Sequence, residues 1–178
     1  MTPQARSRPA AWHQTPVLGV DLGGVVIRTA TTTEDTGFLD DDWIDTPEVD
    51  GCIAALARLH DGPFNAGIQL ISKAGPRIQQ RSRDWLAHRD FFNRSGIPPA
   101  NLVFVRERRD KAEVCRKRRV THFIDDHISV LNHLDTVAHR YLFTGGGTSH
   151  EATHQVPSGI AIAATWPEAE AMLLESLR

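Results

Sequence analysis

The sequence predicts a single α/β domain in which a parallel sheet carries helices on both faces. Short apolar stretches rich in β-branched residues alternate with stretches of helical character, as in strands joined by crossover helices. Polar side chains follow three of these strands, namely Asp21, Ser72 and the pair Asp125-Asp126. Because the carboxyl ends of parallel strands meet at one edge, where ligands of such sheets bind, we expect these side chains to form one site.

Composition bounds the class of protein. A chain of 178 residues is long enough for one domain, which we expect over residues 17–178 after a flexible tail at 1–16. The two cysteines, Cys52 and Cys115, make neither a disulfide framework nor a metal cluster, so a reducing cytoplasm is expected. No apolar run is long enough to span a membrane, and the N-terminus lacks the apolar core of a secretory signal.

The first strand is predicted within residues 16–28, PVLGVDLGGVVIR. An apolar run ends in Asp21, Gly23 and Gly24 follow, and a second apolar run begins at Val25. A buried carboxylate is costly unless it has a partner such as a metal ion, and glycines let backbone groups approach that partner. A simple turn-capping role for Asp21 is the alternative. Residues 29–45 predict a loop or short flap.

The remaining elements follow from caps, breakers and periodicity. Thr46, Pro47 and Glu48 predict a helix start, and Asp61-Gly62-Pro63 predicts its end. The capping box Thr165-x-x-Glu168 predicts the start of the last helix. Between them we expect strands at 66–72, 102–105, 120–124, 140–143 and 159–163, and helices from Pro76 to about Asn93, within the basic stretch 106–119 and at 128–134.

The polar residues at the strand ends suit phosphoryl chemistry. Two acids after the fourth strand, together with Asp21, offer the oxygen ligands that Mg²⁺ prefers. Ser72 offers a hydroxyl to a phosphate oxygen. Lys111 heads the helix before the fourth strand, where an ammonium group could neutralise charge between a carboxylate and a phosphoryl group.

These motifs, in this order, resemble the haloacid dehalogenase superfamily of phosphoryl-transfer enzymes. The resemblance covers residues 17–143 and rests on DLGGV at Asp21, the strand-terminal Ser72, Lys111 and FIDD at Asp125-Asp126. It implies a three-layer, Rossmann-like sheet and a Mg²⁺-dependent phosphatase that acts on a phosphorylated small molecule or nucleotide. Residues 108–127 resemble the corresponding part of nucleotidases of this superfamily.

The resemblance also implies a role for each site residue. Asp21 would be the catalytic nucleophile that forms an aspartyl-phosphate, and Lys111, also catalytic, would hold the transferring phosphoryl group together with Ser72. The phosphoryl group would be bound by Ser72, Lys73 and Gly24. The metal would be held by Asp21, Asp125, Asp126 and the backbone carbonyl of Gly23.

The sequence departs from the family pattern at Gly23, where most family phosphatases carry the aspartate that serves as general acid and base. Such a group is worth about 10²–10⁴-fold in rate. Three outcomes stay open: a substrate whose leaving group needs no protonation, a stand-in such as His127, or an impaired domain that acts by binding phosphate ligands or a protein partner.

The chain leaves no room for a large cap domain, so we expect an open site, suited to a large substrate or to closure by a second subunit. A sugar-kinase phosphate loop is the other interpretation of GVDLGGVVIR, but the chain lacks the second phosphate motif and the length that a sugar kinase requires.

His150-Glu151-x-x-His154 matches the zinc-protease motif by chance in a predicted loop. The basic stretch 106–119 is interpreted as a solvated face rather than a nucleic-acid surface, and Trp43 as a packing residue.

Overall fold

A computed structural model describes residues 15–29, 42–65, 67–147 and 156–178. Six strands form one sheet in the order β3-β2-β1-β4-β5-β6, and every adjacent pair is parallel. The predicted parallel α/β architecture is therefore confirmed. The strands are β1 (Leu18–Val20), β2 (Ile68–Lys73), β3 (Leu102–Val105), β4 (His122–Asp125), β5 (His139–Phe143) and β6 (Ile160–Ala163).

The helices cover both faces of this sheet. Alternation along the strands divides the buried side chains into two cores, because successive residues of a strand point to opposite faces. The helices are α1 (Cys52–Asp61), α2 (Pro76–His88), α3 (Phe91–Ser95), α4 (Lys111–Arg118), α5 (Ile128–Leu131) and α6 (Trp166–Glu175). One core receives apolar residues from α1, α2, α3 and α6, and the other receives them from α4 and α5.

The register places the two central strands side by side at the point where the strand order reverses. Val20 of β1 lies beside Leu70 of β2 on one side and Ile124 of β4 on the other. The chain runs from β1 outward to β3, then returns to the other side of β1 at β4. A crevice opens at such a reversal, and it lies between the ends of β1 and β4.

The structure corrects the predicted extent of the first strand and the start of the first helix. β1 ends at Val20, and the backbone N–H groups of Val25, Val26 and Ile27 all turn back to the carbonyl of Leu22. The segment that contains Pro47 and Val49 bonds to this turn, so it is extended. Helix α1 therefore begins at Cys52 rather than at Thr46.

The helix predicted from Pro76 to Asn93 is two helices. Helix α2 ends at His88, and Asp90 adopts a left-handed φ of 51° before α3 begins. Arg89 lies at the break, where its guanidinium donates to the carbonyls of Asp45 and Thr46. The break turns Phe91 fully into the core and leaves Phe92 only partly buried.

The other predicted elements agree with the structure within a few residues. β3 has the predicted bounds, and Thr165 caps α6 by accepting a hydrogen bond from the Glu168 N–H at 3.3 Å. Trp43 packs against the core, as predicted. The predictions for residues 1–14 of the tail, 30–41 of the flap and the His150–His154 motif lie outside the described residues. Among the described residues, no helix has the length and apolar character to cross a lipid bilayer.

His122 is a buried imidazole at the edge of the sheet opposite the crevice. Its ring stacks on that of His139 with centroids 4.4 Å apart and meets the Phe64 ring edge-on. Its nitrogens lie 2.7 Å from Thr121 Oγ1 and 3.0 Å from Ser176 Oγ. Burial and the neighbouring His139 lower the pKa of His122 from 6.5 to about 4.

We expect this histidine to contribute to unfolding at mild acid. The folded state favours the neutral ring, so the contribution of His122 to the free energy of unfolding is fully present above pH 6.5. As the pH falls from 6.5 to 4, the free energy of unfolding decreases by up to about 3 kcal/mol. A His122→Phe variant should lose less unfolding free energy over this interval, measured by urea denaturation at several pH values. Thr121 and Ser176 keep backbone partners in this variant. The exposed His88→Gln control should follow the wild type, and a His122→Phe profile equal to the wild type's would contradict the assignment.

Candidate active site

Asp21 lies at the end of β1, facing the crevice. Its backbone N–H donates to the Ile124 carbonyl at 3.0 Å, which holds the ends of β1 and β4 together. The residue is 6% exposed. The tight turn that follows, with Gly24 at a left-handed φ of 68°, directs the chain away and leaves the carboxylate at the edge of the sheet.

Lys111 is buried between two carboxylates. The residue is 1% exposed, and its Nζ donates to Asp125 Oδ2 at 2.7 Å and lies 3.0 Å from Asp21 Oδ1. Burial alone would lower the pKa of Lys111, but the charges of Asp125 and Asp21 outweigh it and raise the pKa above its ordinary value. The ammonium group is therefore a fixed positive charge beside Asp21.

The turn before α4 explains why Lys111 reaches this position. Glu107 and Asp110 form a reciprocal capping box across the turn, with the Glu107 N–H donating to Asp110 Oδ2 at 3.1 Å. Lys111 is the first residue of α4, which begins at the carboxyl edge of the sheet and packs against the face opposite α1. The side chain then lies over the Phe123 ring, with Nζ 5.7 Å from the ring centroid.

The two acids after β4 differ in their surroundings. Asp125 is fully buried, and its second oxygen accepts a hydrogen bond from the His127 N–H at 2.9 Å, so protein groups hold both of its oxygens. Asp126 faces the crevice, and its buried Oδ1 accepts no hydrogen bond. Burial raises the pKa of Asp125 to about 6 against the opposing charge of Lys111. Burial and the charges of Asp125 and Asp21 raise the pKa of Asp126 well above its ordinary range.

These acids fit a divalent cation. Asp21, Asp125 and Asp126 each offer an oxygen, and these oxygens all lie within 4.8 Å of one another. When ionised, the three carboxylates carry three negative charges, and Lys111 neutralises one of them. A monovalent cation would leave one negative charge without a partner, whereas a divalent cation would balance the site. Asp21 Oδ1 and Asp126 Oδ1 are both buried without a hydrogen bond of good geometry. Hard oxygen donors of this kind suit Mg²⁺, and Asp21 and Asp126 are the pair that faces the open side.

One cleft contains most of the residues that the sequence predicted for the site. It encloses about 400 Å³, including space open to solvent. Ser72, at the end of β2, is 8% exposed within it, whereas Lys73 is exposed. The cleft is lined by Asp21, Gly23, Thr29, Ser72, Lys73, Arg108, Lys111, Asp126 and His127.

Gly23 leaves empty space in the wall of this cleft. A Cβ atom added at Gly23 would have no other atom within 4 Å, apart from its immediate chain neighbours. Gly23 also lacks the left-handed φ that marks Gly24. A side chain at position 23 would therefore project into open space without backbone strain.

Gly24 is placed differently from its predicted role in phosphate binding. Its N–H donates to the Ile27 carbonyl at 2.8 Å, so that donor is used within the turn. Gly24 lines a neighbouring hollow of about 150 Å³ with Asp126 and Gly146, and it does not line the main cleft. A Cβ atom at Gly24 would collide with the Asp126 carboxylate, and one at Gly146 would collide with the Gly24 carbonyl. Position 24 therefore requires glycine because the Asp126 carboxylate packs directly against its backbone.

Sequence reasoning did not single out Arg108 or Thr29 as site residues. The Arg108 Nη2 lies 3.1 Å from the His127 Nε2 in the cleft wall. The basic stretch 106–119 does not form one surface. Arg108 lies at the site, before α4 begins. The basic residues at the end of α4 lie elsewhere, and two of them, Arg116 and Lys117, pair with Glu113. The position of Arg108, three residues before Lys111, was the signal that the prediction overlooked.

The comparisons agree with this architecture. The sequence matches no protein-family model and no curated protein. The structure is similar to that of D,D-heptose 1,7-bisphosphate phosphatase from B. bronchiseptica, solved with magnesium and phosphate, at 13% identity and a TM-score of 0.65 over 90% of this chain and 99% of the other. It is similar to the same enzyme from Burkholderia thailandensis at 13% identity and a TM-score of 0.58, over 89% and 98% of the two chains.

The chain has a haloacid dehalogenase-like fold. At 13% identity the likeness establishes this fold and leaves the activity to be argued from the site. In this fold, the segment between β2 and β3 contains α2, α3 and a short 3-10 turn, and no further domain. This segment, described in full, holds no cap domain, and the other insertion point that the prediction considered, between Asp21 and Ser72, includes residues 30–41, which lie outside the described residues.

Proposed function

We propose that this haloacid dehalogenase-like chain is a Mg²⁺-dependent phosphatase that uses Asp21 as its nucleophile. The observation that carries the proposal is the burial of Lys111 against Asp21 in a cleft that Ser72 and Asp126 also line. Four elements of the chain supply these groups. Polar groups placed together at a strand-order reversal support a shared chemical role.

In the proposed reaction, a carboxylate oxygen of Asp21 attacks phosphorus. An aspartyl-phosphate bond forms while the bond from phosphorus to the leaving-group oxygen breaks. The Ser72 hydroxyl donates to a phosphoryl oxygen, and Lys111 and Lys73 add positive charge. Water then attacks phosphorus, which frees Asp21 and releases inorganic phosphate.

Bound Mg²⁺ would neutralise charge on the transferring phosphoryl group, and Asp21, Asp126 and the Gly23 carbonyl would hold it. Asp125 acts on Lys111 instead of reaching the cleft. Its 2.7 Å hydrogen bond fixes the ammonium group beside Asp21. We therefore assign Asp125 as a positioning residue, and its further role as a metal ligand stays a prediction, since one of its oxygens lies within 4.8 Å of those of Asp21 and Asp126.

The substrate class is a phosphomonoester of a small molecule, nucleotides included. The structural neighbours act, by name, on a phosphorylated sugar, which supports a phosphorylated small molecule here. With glycine at position 23, no side chain there protonates the leaving group. Substrates whose leaving group departs without protonation should therefore react fastest.

An assay with p-nitrophenyl phosphate and Mg²⁺ tests the nucleophile. An Asp21→Asn substitution should lower kcat by about 10³-fold or more, because the amide is a far weaker nucleophile. The control is Asp50→Asn, which changes an exposed acid paired with Arg28 and should leave the rate unchanged.

Two results would contradict the proposal. Activity that survives Asp21→Asn in a folded protein would remove the nucleophile assignment. Absence of hydrolysis of p-nitrophenyl phosphate and of a panel of phosphometabolites, with Mg²⁺ binding intact by calorimetry, would favour the impaired, ligand-binding domain instead.

A further inference from the structure

We propose that the cleft selects phosphoesters that carry a second anionic group, and that Arg108 binds this group. The inference rests on the proposed function, since it names the substrate class of the same site. Arg108 has no part in the phosphoryl-transfer roles assigned above. It nevertheless lines the cleft that contains Asp21 and Ser72.

The cleft has a polar floor and a cationic rim. Asp21, Ser72 and Lys111 are buried at the floor, where the phosphoryl group would bind. Lys73 and Arg108 line the same cleft, but their side chains are exposed. Because the charge of Lys111 is already shared by Asp21 and Asp125, the rim supplies the positive charge that faces the rest of a substrate.

The surroundings of Arg108 fix its position in the wall. The capping box between Glu107 and Asp110 holds the turn from both sides of this residue. The Arg108 guanidinium contacts the His127 ring at 3.1 Å, and His127 is itself a wall residue. A guanidinium presents several donors in one plane, which matches a phosphate or a carboxylate better than an ammonium group does.

Arg109 provides a matched control. It is the next residue in the chain, has the same charge and is exposed, but it is not among the residues that line the cleft. A general effect of positive charge on anionic substrates would involve both arginines. A specific subsite would involve Arg108 alone.

Binding measurements test the inference apart from turnover. Glucose 6-phosphate and glucose 1,6-bisphosphate are titrated by calorimetry into the Asp21→Asn protein with Mg²⁺. We expect the bisphosphate to bind about tenfold more tightly. Adding Arg108→Met should remove most of this preference, and adding Arg109→Met should keep it.

Equal affinity for the two sugars would overturn the inference, as would a preference that persists without the Arg108 charge. Turnover gives a second readout. In the active protein, Arg108→Met should lower kcat/KM for the bisphosphate about tenfold more than for p-nitrophenyl phosphate. An equal loss on both would assign Arg108 to the transferred phosphoryl group instead. A protein that binds the bisphosphate preferentially but hydrolyses nothing would contradict the proposed function and leave the subsite in place.

Discussion

A Gly23→Asp substitution should raise the rate of phosphatase turnover by about 10²-fold or more on substrates with poor leaving groups. A positioned carboxyl group can protonate the departing oxygen and then activate water, and such a group is worth about 10²–10⁴-fold. The structure offers the space, because a Cβ atom at Gly23 would have no neighbour within 4 Å. The measurement is kcat for glycerol phosphate and for p-nitrophenyl phosphate, with the larger gain on the first.

The control for this gain is Gly23→Asn, which has nearly the same shape but cannot transfer a proton. It should leave kcat for glycerol phosphate at the wild-type level or below. Equal gains for Asp and Asn would show that position 23 acts by shape. No gain for Asp, in a folded protein that still hydrolyses p-nitrophenyl phosphate, would show that proton transfer does not limit the rate.

The sheet was predictable because its strands are short apolar runs bounded by polar residues and breakers, and β3 has the predicted bounds. The start of α1 was not predictable in the same way. Thr46-Pro47-Glu48 has the local signature of a helix start, but Val49 donates to the Val26 carbonyl and Arg28 donates to the Pro47 carbonyl. Hydrogen bonds to a turn about twenty residues earlier in the chain override the local preference for a helix, and a local sequence pattern does not reveal such bonds.

The site was predictable to the extent that topology determines it. Strand ends of a parallel sheet share an edge, and this brought Asp21, Ser72 and Asp126 to one cleft. The distinction between Asp125 and Asp126 required the alternation of β4. Phe123 points toward the α4 face, so Asp125, two residues later, points the same way and meets Lys111. Composition alone did not distinguish Arg108 from the other basic residues nearby, and only its position three residues before Lys111 indicated that it lies at the cleft.

Lys111→Met should produce the largest loss of stability among substitutions in this site, about 3–5 kcal/mol in the free energy of unfolding at pH 7. The lysine is 1% exposed and lies within 3.0 Å of two carboxylates that are themselves almost fully buried. Its removal leaves two facing acids without their counter-charge, and an uncompensated buried charge costs several kcal/mol. Urea denaturation without added Mg²⁺ measures this change directly.

Two further variants show whether the loss comes from charge rather than from packing. Lys117→Met makes the same substitution in the same helix, at an exposed lysine 3.2 Å from Glu113, and should change the unfolding free energy by less than about 0.5 kcal/mol. Adding Asp125→Asn to Lys111→Met removes one of the two unpaired charges. The double variant should therefore be more stable than Lys111→Met alone. If both substitutions instead add their separate losses, the buried lysine stabilises the fold by its volume and the ion pairs contribute little.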